Sequence, residues 1–309
     1  KRKTKRRTAP KRPPYTRNVG IVIDSAPPKA PFPPEYYEVT KWPTNIKYHN
    51  KKRLTLHFGK KAIEYVVSRI LGEGTFGYVS LIIPKYEEDD YPAYAYKRFF
   101  KTDYETRLEI KYVKDPRTRG IMVPAKAFGG NSVLMQLGIE VRDAKIGRLN
   151  PDQVGDDIAT AVYDLEKKLI KRGLIYTDMK SANVLAVPIP GVPDLARIMF
   201  ADYGGLCPIK DKSCVYTYML PERVRDTYQF GWSDADKAEL AARYWAGIVG
   251  MQVKGGRNYN SILAPDNRHN MSAVAYKKWM GRVKDYADKV GGIPGRYLRP
   301  MPEDRRTVW

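Results

Sequence analysis

The sequence predicts an α+β protein of two lobes. A small strand-rich N-lobe is followed by a larger helical C-lobe, and an extended, basic, proline-rich arm precedes both. Three observations lead there. Between residues 51 and 137 the apolar residues come in short alternating runs broken by glycines, the period of strands. Beyond residue 150 they recur three and four apart, the period of helices. Residues 1–50 combine a block of basic side chains with crowded prolines and no apolar periodicity. The expected partition is an arm or linker over 1–50, an N-lobe over 51–137 and a C-lobe over 138–309, shortened or divergent after residue 250.

Composition narrows the classes. The chain has 309 residues, with 55 Lys+Arg against 34 Asp+Glu, a formal net charge of +21. A hydrophobic content of 43% suffices for a sizeable core and excludes wholesale disorder. No apolar run approaches the ~18 residues a membrane span requires. Cys207 and Cys214 are too few for a disulfide framework, and with three scattered histidines they make no zinc module, so a reducing, intracellular setting is expected. The opening Lys1 points to residues missing or removed ahead of it. No apolar signal segment follows, which argues against secretion.

In chain order, residues 1–17 carry Lys1, Arg2, Lys3, Lys5, Arg6, Arg7, Lys11, Arg12 and Arg17 and no acid, so this block stays solvated or pairs with phosphate. Prolines 10, 13, 14, 27, 28, 31, 33, 34 and 43 then favour an extended strap over a helix. Tyr65–Leu71 is β-rich and runs into Gly72, Gly74 and Gly77. Val79, Leu81 and Ile83 alternate, Ala93–Phe100 is an aromatic-rich strand, Asp103–Lys114 a short helix, and Ser132–Leu137 a buried strand. Val154, Ile158, Ala161, Leu165 and Leu169 fall at helical spacing and end at Gly173, a C-cap. Asp236–Val249 and Ser272–Val290 are further helices, the latter with Tyr276, Trp279, Val283, Tyr286 and Val290 on one side.

Several short stretches carry chemistry. Leu71–Val79 contains G-x-G-x-x-G-x-V, which serves either as a plain hairpin or as a loop whose backbone N–H groups approach a polyphosphate without a Cβ in the way. A dinucleotide fingerprint opens a helix after its last glycine, whereas Tyr78–Pro84 reads as strand. Lys97, in an apolar run, is either an edge lysine snorkelling to solvent or an ammonium placed beside a carboxylate or phosphate. Asp178, Lys180 and Asn183 form D-x-K-x-x-N in a loop after a helix. They combine a base or orienter, a cation for phosphate charge and a neutral oxygen ligand for a metal. Asp202, in Asp202-Tyr203-Gly204, stands at the end of another extended run as a second metal-gripping carboxylate or a simple turn. Leu220-Pro221-Glu222 follows.

The order and spacing of these stretches over residues 65–236 resemble the eukaryotic-type protein kinases. The resemblance implies ATP and Mg²⁺ or Mn²⁺ as cofactors and Ser/Thr hydroxyls of a protein as substrate. It implies that Gly72, Gly74 and Gly77 cover the phosphates. Lys97 then contacts the α- and β-phosphates and pairs with Glu109, Glu105 being the rival. Asp178 accepts the hydroxyl proton, Lys180 supports the γ-phosphate, and Asn183 and Asp202 hold the metal. Leu71, Val79, Ala95, Met135, Leu137 and Leu185 sandwich the adenine, with Met135 as gatekeeper and Gln136–Gly138 as hinge.

The departures are informative. The family's H-R-D is Tyr176-Thr177-Asp178, D-F-G is Asp202-Tyr203-Gly204, and A-P-E is Met219-Leu220-Pro221-Glu222. Loss of the arginine removes the counter-charge for a phosphorylated activation segment, so activity independent of phosphorylation at Ser213, Tyr216, Thr217 or Tyr218 is expected. The tyrosine variant and the compact Leu137–Glu140 are loosely similar to the casein-kinase-like and vaccinia-related branch. Asp234, or Asp236, takes the place of the family's buried helix aspartate.

The basic arm is read as a nuclear signal on a solvated surface or as a DNA- or RNA-binding arm with salt-sensitive phosphate contacts. Basic residues return late, at Lys277, Lys278, Arg282, Lys284, Arg296, Arg299, Arg305 and Arg306. The divergence and the arm suggest a viral kinase, nuclear or virion-associated. Two readings compete with an active kinase: a pseudokinase scaffold, and a structural nucleic-acid packaging protein on a kinase-like fold.

Overall fold

The computed structural model describes residues 20–21, 37–39, 53–58, 60–86, 91–128, 130–142, 151–188, 195–211, 214, 235–254 and 272–299. The basic block over 1–17, the sites at Ser213, Tyr216, Thr217 and Tyr218, the stretch Met219–Glu222, Asp234, Arg305 and Arg306 lie outside them.

Strands β1 (Gly20–Ile21) and β2 (Tyr37–Val39) come from the segment expected to be linker. Then follow β3 (Arg53–Phe58), β4 (Lys61–Glu73), β5 (Gly77–Pro84), β6 (Tyr94–Phe99), helix α1 (Tyr104–Lys114), β7 (Ala125–Phe128) and β8 (Ser132–Gln136). An antiparallel sheet runs in the order β2-β3-β4-β5-β6-β8-β7. Short connections join β3 to β4, β4 to β5 and β7 to β8, as antiparallel pairing allows.

Period two sorts β6 between two cores. Tyr94 and Tyr96 pack on one face with Leu54, Leu56, Tyr65 and Ile82. Ala95 and Phe99 turn to the other face, towards Leu81, Val133, Met135 and Ile110 of α1. Lys97 shares that second face by register.

Beyond β8 come β9 (Ile139–Glu140), α2 (Pro151–Lys171), β10 (Leu174–Tyr176), β11 (Val184–Pro188), β12 (Leu195–Phe200), β13 (Leu206–Pro208), α3 (Ala235–Val253), α4 (Ala273–Val290) and α5 (Gly292–Tyr297). The helical periodicity beyond residue 150 thus becomes helices, and the α+β division into a sheet-built lobe and a helical lobe stands. Ile158, Val162, Leu165 and Leu169 of α2 meet Ala238, Ala242, Trp245 and Val249 of α3 in the larger core. The two helices cross closely because of glycine: a Cβ on Gly250 would lie 2.7 Å from the Gly155 carbonyl oxygen. Ser272 caps α4 by accepting the Ala275 N–H, and Trp279, Val283 and Ala287 form its buried stripe. No described helix is long and apolar enough to cross a membrane.

Cys207, on β13, and Cys214 are joined in a disulfide spanning a sequence separation of 7. Two cysteines make no framework, but they do make this local staple.

Candidate active site

Two lobes meet at Lys97. Its side chain points inward from β6, with the residue only 9% exposed. Helix α1 is aimed at it by a local device: Asp103 accepts the Thr106 N–H at 3.0 Å, and the Thr106 hydroxyl donates to the Lys101 carbonyl at 2.9 Å. This places Thr106, Glu109 and Ile110 on the buried face of α1, while Glu105 is exposed. Lys97 Nζ donates to Glu109 Oε1 at 2.7 Å and Oε2 at 2.8 Å, and to Asp202 Oδ1 at 2.8 Å. Glu109, not Glu105, is therefore the helix carboxylate that reaches the lysine.

The charges are strongly coupled. Burial pulls the Lys97 ammonium down, but Asp202 and Glu109 outweigh it and keep it above the usual lysine value. Burial pushes Glu109 up to about 7 despite Lys97, with Asp202 adding to the rise. Burial also opposes ionisation of Asp202, yet Lys97 and then Lys180 bring it below the usual carboxylate range. One lysine cannot satisfy both acids equally, and Asp202 holds the larger share of charge.

Asp202 is the one described non-glycine residue with positive φ, at 60°. Such backbone is strained for a side chain with a Cβ and persists only where the surroundings impose it. Here Gly205 donates its N–H to the Asp202 carbonyl at 3.0 Å, and the Ala201 N–H donates to the Asn183 carbonyl at 2.8 Å. The hydroxyl of Tyr203 donates to the Val123 carbonyl at 2.7 Å, tying this turn to the segment after α1. A Cβ on Gly204 would sit 3.3 Å from Glu109 Oε2.

The loop after β10 carries the second group of residues. Asp178 Oδ2 accepts from Lys180 Nζ at 2.8 Å and from Asn183 Nδ2 at 2.7 Å, and Asn183 Nδ2 also meets the Asp178 carbonyl at 2.9 Å. β11 and β12 pair with Val184 opposite Phe200, so Asn183 and Asp202 leave adjacent strand ends. Tyr176 and Thr177, the altered positions, are integrated rather than loose. The Tyr176 ring stacks on Phe200 with centroids 4.7 Å apart, and its hydroxyl donates to the Ala201 carbonyl at 2.5 Å. Thr177 donates its N–H to the Gly205 carbonyl at 2.7 Å. Gly205 is required, since a Cβ there would lie 2.8 Å from the Tyr176 ring.

Beside this polar cleft lies an apolar wall. Ala95, Met135 and Leu137 are buried in one cluster, with Val79 and Leu185 packed on it. Leu71 does not join them; it stands 41% exposed where the β4–β5 pairing shifts register. The glycines divide as well. A Cβ on Gly77 would sit 2.2 Å from the Arg98 carbonyl oxygen, so that glycine serves strand packing. Gly72 and Gly74 have nothing within 4 Å, leaving open space at the hairpin.

Motif reading left the buried Glu166 of α2 and Gln252 of α3 unnoticed. Glu166 continues the Ile158–Val162 spacing of four, a position on the apolar stripe. That spacing was the available signal, obscured by the charged neighbours Lys167 and Lys168.

The class these residues define is a two-lobed α+β protein whose cleft holds a doubly paired lysine and an Asp–Lys–Asn loop. No protein-family model matches the chain, and neither does any curated protein. Among solved structures it is similar to the PknI kinase domain of Mycobacterium tuberculosis, at 19% identity and a TM-score of 0.42, over 78% of this chain and 90% of that one. A double mutant of that domain aligns at 20% identity and a TM-score of 0.43, over 78% and 89% of the two chains.

Proposed function

We propose that the chain is an ATP-dependent protein kinase that transfers the γ-phosphate to Ser/Thr hydroxyls. Its lobes are residues 51–137 and 138–309, joined through Gln136–Gly138. The observation that carries this reading is the grip of Lys97 between Glu109 and Asp202. It places a fixed ammonium between the open glycine hairpin and the Asp178 loop, where polyphosphate charge is to be met.

The donor set fits a hard divalent cation. Asp202 offers a carboxylate held anionic beside Lys97, with its side chain 37% exposed. Asn183 spends its amide nitrogen on Asp178, which leaves its oxygen as the remaining donor. Oxygen-only ligation suits Mg²⁺ or Mn²⁺. When bound by Asn183 and Asp202, such an ion supplies charge neutralisation on the phosphates. Asp178, oriented by Asn183 and Lys180, accepts the hydroxyl proton at its carboxylate, and Lys180 faces the γ-phosphate. Val79, Ala95, Met135, Leu137 and Leu185 exclude water around the base.

Residues 1–17 bring the enzyme to DNA or RNA through phosphate contacts, which a steep loss of binding with added salt tests. The central experiment is Mg²⁺-dependent transfer from ATP to a mixed protein substrate, wild type against Asp178→Ala. Transfer that vanishes in the variant supports the reading. Nucleotide binding without transfer in either protein moves the function to a scaffold. Salt-sensitive nucleic-acid binding with no nucleotide binding moves it to packaging.

A further inference from the structure

Two buried side chains from the helical core grip the ends of the Asp178 loop. The carboxyl of Glu166 accepts the Tyr176 N–H, 3.2 Å from Oε1 and 3.4 Å from Oε2, and the residue is 0% exposed. Gln252, 5% exposed near the end of α3, accepts the Ser181 N–H through Oε1 at 2.6 Å. Tyr176 lies two residues before Asp178 and Ser181 three after it.

The pairing of β10 explains why the Tyr176 amide needs such a partner. Thr177 donates to the Gly205 carbonyl, and Ile209 donates to the Gly173 carbonyl. Odd-numbered residues of this stretch therefore bond across to β13. Backbone groups alternate direction along a strand, so the Tyr176 N–H points the opposite way. Among the described residues the sheet holds two strands, β10 and β13, and no described strand stands on that side. Glu166 fills the position that a third strand would occupy.

Packing alone does not call for an acid there. The neighbouring stripe of α2 is Ile158, Val162 and Leu169, each fully buried. A buried carboxyl is costly unless it makes a hydrogen bond that nothing apolar replaces. Among the described residues, the Tyr176 amide is its hydrogen-bond donor.

We propose that Glu166, with Gln252 at the far end, is a positioning residue for phosphoryl transfer: it fixes where the loop presents Asp178 by taking the amide that β13 leaves unbonded. The inference rests on the kinase reading above for its catalytic consequence, and on the hydrogen bonds for its structural one. Glu166 touches no reacting atom.

The test uses the full chain with Glu166→Leu, Glu166→Met and Glu166→Gln. The first two keep volume without an acceptor, and the third keeps an acceptor oxygen. Two quantities are read: steady-state γ-phosphate transfer, and backbone amide exchange over residues 174–183. The apolar variants are expected to keep the KM for ATP within about twofold while kcat falls about tenfold, as misplacement of an orienting group does. Exchange over 174–183 should accelerate about tenfold with that of β4–β6 unchanged, and Gln should restore both to within about threefold. An apolar variant with wild-type exchange and kcat overturns the proposal, as does a Gln variant as impaired as Leu. A wild-type chain without transfer refutes the kinase reading, and the exchange comparison then decides the fate of Glu166 by itself. If both apolar variants fail to fold, Gln252→Leu puts the question from the Ser181 end: faster exchange at 178–183 supports the two-ended grip, and unchanged exchange overturns it.

Discussion

Lys97 and Glu109 form a two-pronged pair, with Nζ 2.7 Å and 2.8 Å from the two carboxylate oxygens, and so fix α1 against the sheet of the N-lobe. The pair is asymmetric in how it responds to loss. Lys97→Met leaves Glu109 buried without its cation, and breaking such a pair costs about 3–5 kcal/mol when the survivor stays charged. Glu109 escapes part of that cost by taking a proton, since burial already raises it to about 7. A carboxyl whose folded pKa is raised gives stability below its unfolded pKa and loses it as pH rises through the folded value. Lys97→Met is therefore expected to lose transfer by about 100-fold or more, and to be less destabilised in urea at pH 5 than at pH 8. Equal destabilisation at both would remove this account of Glu109.

The glycines of the β4–β5 hairpin should separate in mutagenesis. Gly77→Ala drives a methyl into the Arg98 carbonyl and should cost about 1–3 kcal/mol of stability, read as a lowered Tm. Gly72→Ala and Gly74→Ala meet nothing within 4 Å and should leave Tm nearly unchanged. If the hairpin covers phosphates, these two raise the KM for ATP instead. Loss of Tm in all three would mean that the hairpin is a structural turn.

Glu166 predicts a pH signature of folding. Burial raises its carboxyl well above the ordinary range, opposed only in part by the Tyr176 N–H. The folded state thus keeps a proton that the unfolded chain releases near pH 4.3, so wild-type stability declines with rising pH until the folded pKa is passed. Relative to non-titrating Glu166→Gln, the slope is about 1.4 kcal/mol per pH unit in that window. Denaturant midpoints of the two proteins between pH 5 and 8 measure it. Parallel curves would show that Glu166 is ionised in the fold.

The Cys207–Cys214 staple closes a short loop directly after β13, the strand that pairs with the approach to Asp178. Chain-entropy arguments give such a loop about 2–3 kcal/mol. Cys207→Ser with Cys214→Ser, or added reductant, should lower Tm and speed amide exchange over 206–211. A melting curve indifferent to reductant would mean that the crosslink does not form in solution.

Much of the site was legible before any coordinates, because its chemistry is local. Asp178, Lys180 and Asn183 lie within six residues, and their mutual hydrogen bonds need no long-range packing. Lys97 was legible as an ammonium in an apolar run, and the resemblance named Glu109 as its partner, but its bond to Asp202 was not legible. Leu71 stands apart from the apolar cluster: the register shift between Ile70 and Gly72 turns it outward, and a bulge leaves no periodic trace in one strand's sequence.

The sequence by itself determined the main helices, most strands of the first sheet, the division into a sheet lobe and a helical lobe, and the residue types of the candidate site. Those follow from periodicity and from short motifs, which act over a few residues. Tertiary structure alone decided that Asp202, 105 residues further on, shares the ammonium that Glu109 grips. It also decided that Gly77 answers to Arg98, that Glu166 answers the Tyr176 amide, and that the two cysteines meet. Each of these depends on which groups burial forces together, and burial is set by the packing of distant elements rather than by neighbours in the chain.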